Sequence, residues 1–291
     1  MGVSVMKKGL APGIYFDLPN EIYQADPALS RTDIVNLLDT PRTYWDMSWM
    51  NPDRKKKKQT QEMEYGEAFH MLLFTPKEFE KKYQVVPIDA WADGKKKIAH
   101  EEYFRIVESI KVLREGEDSG LFLKGGVGEV TIVFEDEGML FRTRHDYLTP
   151  LFTVDFKTAA ELHDEALKRA FRNYGLDVQC ALYQRSRQRF KEQYHAGEAH
   201  VYGSVNEKFF SNFLNAGMDE FQFIFQRKTD PYPYEPLMPA ADTFDSGYDK
   251  IQKARKIYYD YMQSYGITRR WPACSGKARE FSIFFGKRDA N

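Results

Sequence analysis

The chain has 291 residues, 42% hydrophobic and 15% aromatic, ample for a sizeable core in one large domain. Its 42 basic and 43 acidic side chains leave a net charge of -1, so bulk charge neither selects nor excludes a nucleic-acid partner; a basic groove beside an acidic metal site would give the same sum. Cys180 and Cys274 stand far apart with no CxxC spacing, which argues against a disulfide framework or structural zinc and fits a reducing cytoplasm, while no run approaches the ~18 apolar residues of a membrane span.

Residues 1–29 read as an extended arm, punctuated by Pro12-Gly13 and Pro19, whose Tyr15, Phe16 and Tyr23 need a surface to pack on. Ser30 is placed to cap a short helix through Ile34, Leu37 and Leu38 that stops at Thr40-Pro41. A polar stretch with Lys55 to Lys58 leads to a helical pattern over Glu62 to Phe74. A second run, Lys95 to Lys97, precedes an amphipathic helix over Ile98 to Arg114, with Phe104, Val107, Ile110 and Leu113 expected on its buried face.

Alternation then takes over. Gly128 to Glu135, Met139 to Leu148 and Leu151 to Lys157 form a three-strand meander, turning first at Gly138. Helices follow over Glu161 to Phe171 and Tyr174 to Tyr194, then a strand over Phe221 to Arg227, a stretch broken by Pro231, Pro233, Pro236 and Pro239, and a last helix over Ala241 to Tyr265. Between these, residues 195–220 are the least legible, with a strand over His200 to Val205 and a short helix over Glu207 to Leu214. The order predicts an α/β core with helical elaborations.

Chemistry concentrates in Thr153-Val154-Asp155-Phe156-Lys157-Thr158. Strand periodicity sends Phe152, Val154 and Phe156 to a core face and sets Asp155 beside Lys157 on the other. On the preceding strand Arg142, Arg144 and Asp146 share a face, and the Thr149-Pro150 turn can bring Asp146 near Asp155. Two converging carboxylates suit Mg²⁺, and an adjacent lysine can orient water or offset charge developing on a phosphate. A DxK triplet on a strand is common, and charged strand ends facing solvent are the plain alternative.

Residues elsewhere bear on the choice. Taken in order, Gly66-Glu67-Ala68-Phe69-His70, Glu129, Arg144-His145-Asp146, Asp155-Phe156-Lys157-Thr158 and Gln179 with Tyr183 resemble the RecE (exonuclease VIII) nuclease domain, in the RecB-like branch of the PD-(D/E)xK superfamily. Gly13-Ile14-Tyr15, Leu29-Ser30, Asp39-Thr40-Pro41 and Trp271-Pro272 match further landmarks, so the resemblance spans residues 12–275. Its main departure is His145, where a proline is frequent.

The resemblance implies a restriction-endonuclease-like core: a mixed central sheet flanked by helices, in one nuclease domain over residues 1–291. Residues 1–120 would be an arm and helical layer supplying His70, and residues 121–291 the sheet core and C-terminal helices. It implies His70, Asp146, Asp155 and the Phe156 carbonyl as metal ligands, Lys157 as the catalytic lysine, Glu129 beside the site holding a water, and Gln179, Tyr183 and Thr158 at its edge. The expected cofactor is Mg²⁺, with Mn²⁺ the better partner for an imidazole.

Each residue has a structural alternative: His70 a satisfied core histidine, Glu129 a solvent-facing strand residue, Gln179 and Tyr183 (i, i+4) a polar stripe, the lysine runs solvated loops. In a nuclease the lysine runs would track duplex phosphates, and Arg142 and Arg144, on the carboxylate face, are the better candidates for phosphate contact. The implied activity is hydrolysis of linear duplex DNA from its ends, 5′ to 3′, leaving a 3′ single strand for an annealing protein in recombination. A ring-like homo-oligomer and a phage or prophage origin in a bacterial cytoplasm go with it. The rivals are an endonuclease or single-strand nuclease of the same superfamily, and a catalytically silent protein that binds DNA ends.

Overall fold

The structure, a computed structural model, describes residues 9–55, 59–116, 123–217 and 219–274. Strands β1 (Gly13–Tyr15), β4 (Val127–Asp136), β5 (Met139–Leu148), β6 (Phe152–Ala159), β7 (His200–Tyr202), β8 (Glu220–Arg227) and β9 (Tyr234–Leu237) form one mixed sheet in the order β7-β1-β4-β5-β6-β8-β9. Strands β2 (Tyr83–Val86) and β3 (Lys96–Ala99) pair parallel in a separate small sheet. The meander β4-β5-β6 is antiparallel throughout, whereas β6 and β8 run parallel over their full length.

Helices cover both faces of the large sheet. On one lie α2 (Arg31–Asp39), α3 (Pro41–Met47), α8 (Leu176–His195) and α10 (Ala241–Tyr265), packed on Val130, Ile132, Phe134, Phe141, Phe221, Phe223 and Phe225. On the other lie α4 (Gln61–Phe74), α5 (Pro76–Lys82) and α6 (His100–Glu115), packed on Val154, Phe156 and Ile224. Shorter helices α1 (Asn20–Ala25), α7 (Asp164–Tyr174) and α9 (Glu207–Asn215) complete the described elements.

Several sequence expectations change here. Within the N-terminal arm, residues 13–15 form β1, which lies between β4 and β7, so the sheet draws on both sides of the expected division near residue 120. Thr40-Pro41 ends one helix and begins another, because the Thr40 side chain accepts from the Thr43 N–H and proline needs no donor at a helix start. In α6 the buried stripe is Ile106, Ile110 and Leu113, while Phe104, two positions from Ile106 and so about 200° around the helix, is exposed. The face of β6 carrying Asp155 is covered by helix, not open. Lys56 to Lys58 lie outside the described residues.

Closest to the site's rear wall is the α8–α10 contact. Glycine inside a helix costs about 1 kcal/mol relative to alanine. Gly247 has a packing reason to be there: a Cβ would sit 2.2 Å from the Asp177 carbonyl oxygen and 2.6 Å from the Ala181 Cβ. Gly247→Ala should therefore destabilise the fold by about 1–3 kcal/mol, read as a lower midpoint in urea unfolding. An unchanged midpoint would show that the two helices do not approach this closely.

Candidate active site

The site forms where β5 loses its neighbour. Strands β5 and β6 share only the rungs Tyr147↔Val154 and Leu148↔Thr153, next to the turn, and then part. Further back along the same edge of β5, Leu29 takes the strand's hydrogen bonds: Leu29 N–H donates to the Leu140 carbonyl and Arg142 N–H to the Leu29 carbonyl, both at 2.9 Å. A gap at residues 143–146 remains between these two contacts. Opposite it, β4 is irregular. Glu129 adopts a left-handed φ of 57°, a conformation that costs a non-glycine residue about 1–2 kcal/mol, and the Glu129–Asp146 rung is missing although Val130↔His145 and Gly128↔Tyr147 keep register on either side. Side chains change faces across this rung. Val130 and His145 point to α8, whereas Tyr147 stacks on Phe74 of α4 with ring centroids 5.7 Å apart, and a Cβ on Gly128 would touch the same Phe74.

The expected residues meet in this gap. The Asp146 carboxylate accepts the Phe156 N–H at 2.9 Å, a donor that regular pairing with β5 would have given to a carbonyl. His70, on α4, lies with Nε2 3.0 Å from the Phe156 carbonyl oxygen and Nδ1 3.5 Å from Asp146 Oδ2. Ligand atoms of His70, Glu129 and Asp146 all fall within 4.8 Å of one another. Asp155, 1% exposed, pairs with Lys157 and accepts from Gln179 Nε2. Lys157 keeps 26% of its side chain exposed, so its ammonium bridges the buried carboxylate and the open side of the site.

Other candidates are placed differently. Tyr183 is buried against His145, ring centroids 4.8 Å apart, and burial, with smaller contributions from Tyr23, Asp155 and Asp146, raises its phenol well above the usual range. Thr158 is half-buried on β6, opposite Gln226 of β8. The expectation that Arg142 is available to phosphate does not hold. It is 7% exposed, 3.5 Å from Asp33 and over the Tyr23 ring, because the N-terminal segment folds across it. Arg144 is likewise engaged, donating to Glu129 at 2.7 Å and to the Leu18 carbonyl at 3.1 Å. Lys95 donates to the Glu80 carbonyl of α5, Lys96 to Glu67 of α4 and Lys97 to the Ile88 carbonyl after β2, so this run is engaged within the protein.

Two networks escaped sequence reasoning. Glu67, one turn before His70, is the hub of the first: burial would raise its carboxyl, but hydrogen bonds from Lys82, Tyr83 and Lys96 bring it down to about 2, securing α4 to the small sheet. The i, i+3 spacing from His70 was its only signal. The second surrounds His145, which is fully buried and, through burial and the nearby Arg187 charge, neutral. Arg187 itself pairs with Asp219 and donates to the Thr149 and Pro150 carbonyls, fixing the β5–β6 turn.

The donor set fits a divalent cation. It offers carboxylate oxygens, a backbone carbonyl and one imidazole, hard ligands with a nitrogen that Mn²⁺ accepts more readily than Mg²⁺. The electrostatics agree. Burial, reinforced by the Asp155 charge, pushes the Asp146 carboxyl from 3.8 up to about 7, and a cation there would relieve both effects. His70, Asp146, Asp155 and the Phe156 carbonyl are the residues that would hold it, with Glu129 within reach of His70 and Asp146.

An acid whose folded pKa exceeds its unfolded value keeps its proton more tightly when folded, so the metal-free protein loses stability as pH rises from about 4 through about 7. Asp146→Asn removes that loss and keeps an acceptor for the Phe156 N–H. Its melting temperature without metal should match the wild type near pH 4 and exceed it increasingly up to pH 8. A parallel pair of pH–Tm curves would show that Asp146 ionises freely.

Comparison with known proteins bears on the fold and the family. The structure resembles the crystal structure of a protein from Eubacterium rectale named "Putative exonuclease", with a TM-score of 0.58 over 92% of this chain and 97% of that one, at 13% sequence identity. At that identity the likeness is one of fold. No curated protein matches. Residues 34–211 match the model of the PDDEXK-like domain of unknown function DUF3799. That match takes in His70, Glu129, Asp146, Asp155, Lys157, Gln179 and Tyr183 and covers more than half of the sequence, so the chain belongs to this PDDEXK-like family.

Proposed function

We propose that this protein is a metal-dependent deoxyribonuclease that degrades linear duplex DNA from its ends. The observation that carries the reading is the meeting of Asp146, Asp155 and Lys157 in the gap between β5 and β6, with His70 reaching in from α4. A DNA-end-binding module has no use for a buried Asp–Lys pair beside a carboxyl held near neutral pKa. A hydrolase does. The PDDEXK-like family and the exonuclease name of the Eubacterium rectale protein support the same class.

When bound, a divalent cation supplies Lewis-acid charge to the phosphoryl oxygens. The protein's own groups do the rest. Asp155 is held by Gln179 on one side and orients Lys157 on the other, so the ammonium is fixed before substrate arrives. Lys157 is the exposed member of the pair, placed to orient a water or to offset negative charge that develops on the phosphate. The Phe156 backbone, pinned through N–H by Asp146 and contacted at its carbonyl by His70, keeps the two acidic strands in one arrangement. Water attacks directly, with no covalent enzyme intermediate.

The resemblance to RecE extends the reading to 5′-to-3′ polarity, a 3′ single-stranded product passed to an annealing protein, a ring-like homo-oligomer, and a bacterial cytoplasm under phage or prophage control. No described helix is long and apolar enough to cross a membrane.

Two experiments test the proposal. Lys157→Ala should lower kcat at least ~100-fold and leave DNA affinity within a few-fold, since the lysine acts on developing charge; Lys157→Arg should rescue poorly, its planar fork replacing a compact ammonium. Wild-type turnover in Lys157→Ala would make that lysine a bystander. With Mg²⁺ or Mn²⁺, end-labelled linear duplex should disappear progressively while closed circles persist, and EDTA should stop the reaction. Blocked 5′ ends should protect more than blocked 3′ ends. Rapid nicking of closed circles would replace the exonuclease reading with an endonuclease one.

A further inference from the structure

His145 does not face the open site, and the mechanism above gives it no part. Its position is nonetheless singular. The imidazole is fully buried between β5, β6 and α8, the three elements that carry Asp146, Asp155 and Gln179. Nδ1 lies 2.8 Å from Thr153 Oγ1 on β6; Nε2 lies 3.1 Å from Ser186 Oγ on α8 and 3.1 Å from Thr143 Oγ1.

Donor accounting fixes the tautomer. The Ser186 hydroxyl gives its hydrogen to the Tyr183 carbonyl at 2.7 Å, and the Thr143 hydroxyl is within 3.5 Å of the Ile132 carbonyl. Both oxygens are therefore acceptors toward the ring, which places the proton on Nε2. Nδ1 is left with a lone pair, and the Thr153 hydroxyl donates to it. The result is a directed chain: Thr153 to His145, His145 to Ser186, Ser186 to the α8 backbone.

This chain stands at the edge where backbone pairing between β5 and β6 ends. Beyond Tyr147↔Val154 the β5–β6 ladder stops; Asp146 there holds the Phe156 N–H, while His145, on the unpaired part of β5, reaches back to Thr153, whose backbone is still paired with Leu148. Thr153 and Asp155 lie two apart on β6 and share a face, and His145 immediately precedes Asp146 on β5. The His145–Thr153 bond thus ties the departing stretch of β5 to the last paired stretch of β6, next to the point where the strands part at the two carboxylates.

We propose that His145 is a positioning residue whose bond to Thr153 sets the spacing of Asp146 and Asp155, and with it the protein's affinity for a divalent cation. The inference rests on the metal-site reading above but assigns a role outside the ligand set. Groups that orient ligands from behind typically change metal affinity 10–100-fold when removed.

The test uses Mn²⁺ alone as probe, its free concentration read by electron paramagnetic resonance, with Tm measured alongside. Thr153→Val is nearly isosteric and removes only the hydroxyl. It should weaken Mn²⁺ binding about tenfold or more while the protein stays folded. His145→Asn offers an amide near the Nδ1 position and should recover part of the affinity; His145→Gln reaches the Nε2 position, keeps the tie to Ser186 and should not. Under saturating Mn²⁺ the KM for DNA should change little in each variant. Wild-type Mn²⁺ affinity in Thr153→Val, or equal losses in the Asn and Gln variants, would overturn the positioning role while leaving the metal site standing. A wild-type protein that binds no Mn²⁺ would overturn both, and the DNA digestion above would report that failure independently.

Discussion

Backbone hydrogen-bond demand at the parting of β5 and β6 organises this molecule. Buried N–H and C=O groups must find partners, and two strands in the middle of a seven-stranded sheet normally supply them to each other. Here the ladder ends after two rungs, and side chains take over: Asp146 accepts from the Phe156 N–H, and His70 lies against the Phe156 carbonyl. The residues that look catalytic are thus the ones that close the sheet's open hydrogen bonds. Site and fold are one arrangement, which is why the neighbouring Glu129 tolerates a left-handed backbone and why side chains change faces at that rung.

The charges are distributed unequally between the two carboxylates. Asp155 is neutralised within the protein by Lys157 and steadied by Gln179. Asp146 is buried and feels the Asp155 charge, effects that His70 and Lys157 offset only in part, so its carboxyl holds its proton toward neutral pH. Asp155 thus also aims the lysine, and Asp146 is the acid whose charge a cation would relieve most. The arginines expected to meet phosphate act inside the protein instead: Arg144 joins Glu129 to the chain at Leu18, and Arg142 anchors α1 and α2 through Tyr23 and Asp33. The N-terminal segment is in this way a wall of the site.

The pieces read from the sequence vary in how well they survive, and the reason is range. Met139 to Leu148 and Ala241 to Tyr265 coincide with β5 and α10 because alternation and 3.6-residue periodicity are local signals. Residues 1–29 read as an arm because β1 has three residues and takes its partners from β4 and β7, far along the chain. On α6 the i, i+3 spacing places Ile110 and Leu113 on the buried face, as found, but extends the stripe to Phe104, whereas the buried face runs back through Ile106.

The sequence by itself determined the chemistry on offer: two carboxylates and a lysine on adjacent strands, a histidine on an earlier helix, and a Gln–Tyr pair on a later one. Residue types and short spacings carry that information. Only the tertiary structure decided which of these groups meet, that Arg142 is spent on Asp33 and Tyr23, that Glu67 anchors the histidine's helix, and that His145 lies behind the two acids rather than beside them. Those outcomes depend on where β5 and β6 separate and on what fills the gap, and a hydrogen bond between residues tens of positions apart leaves no periodic trace in the chain.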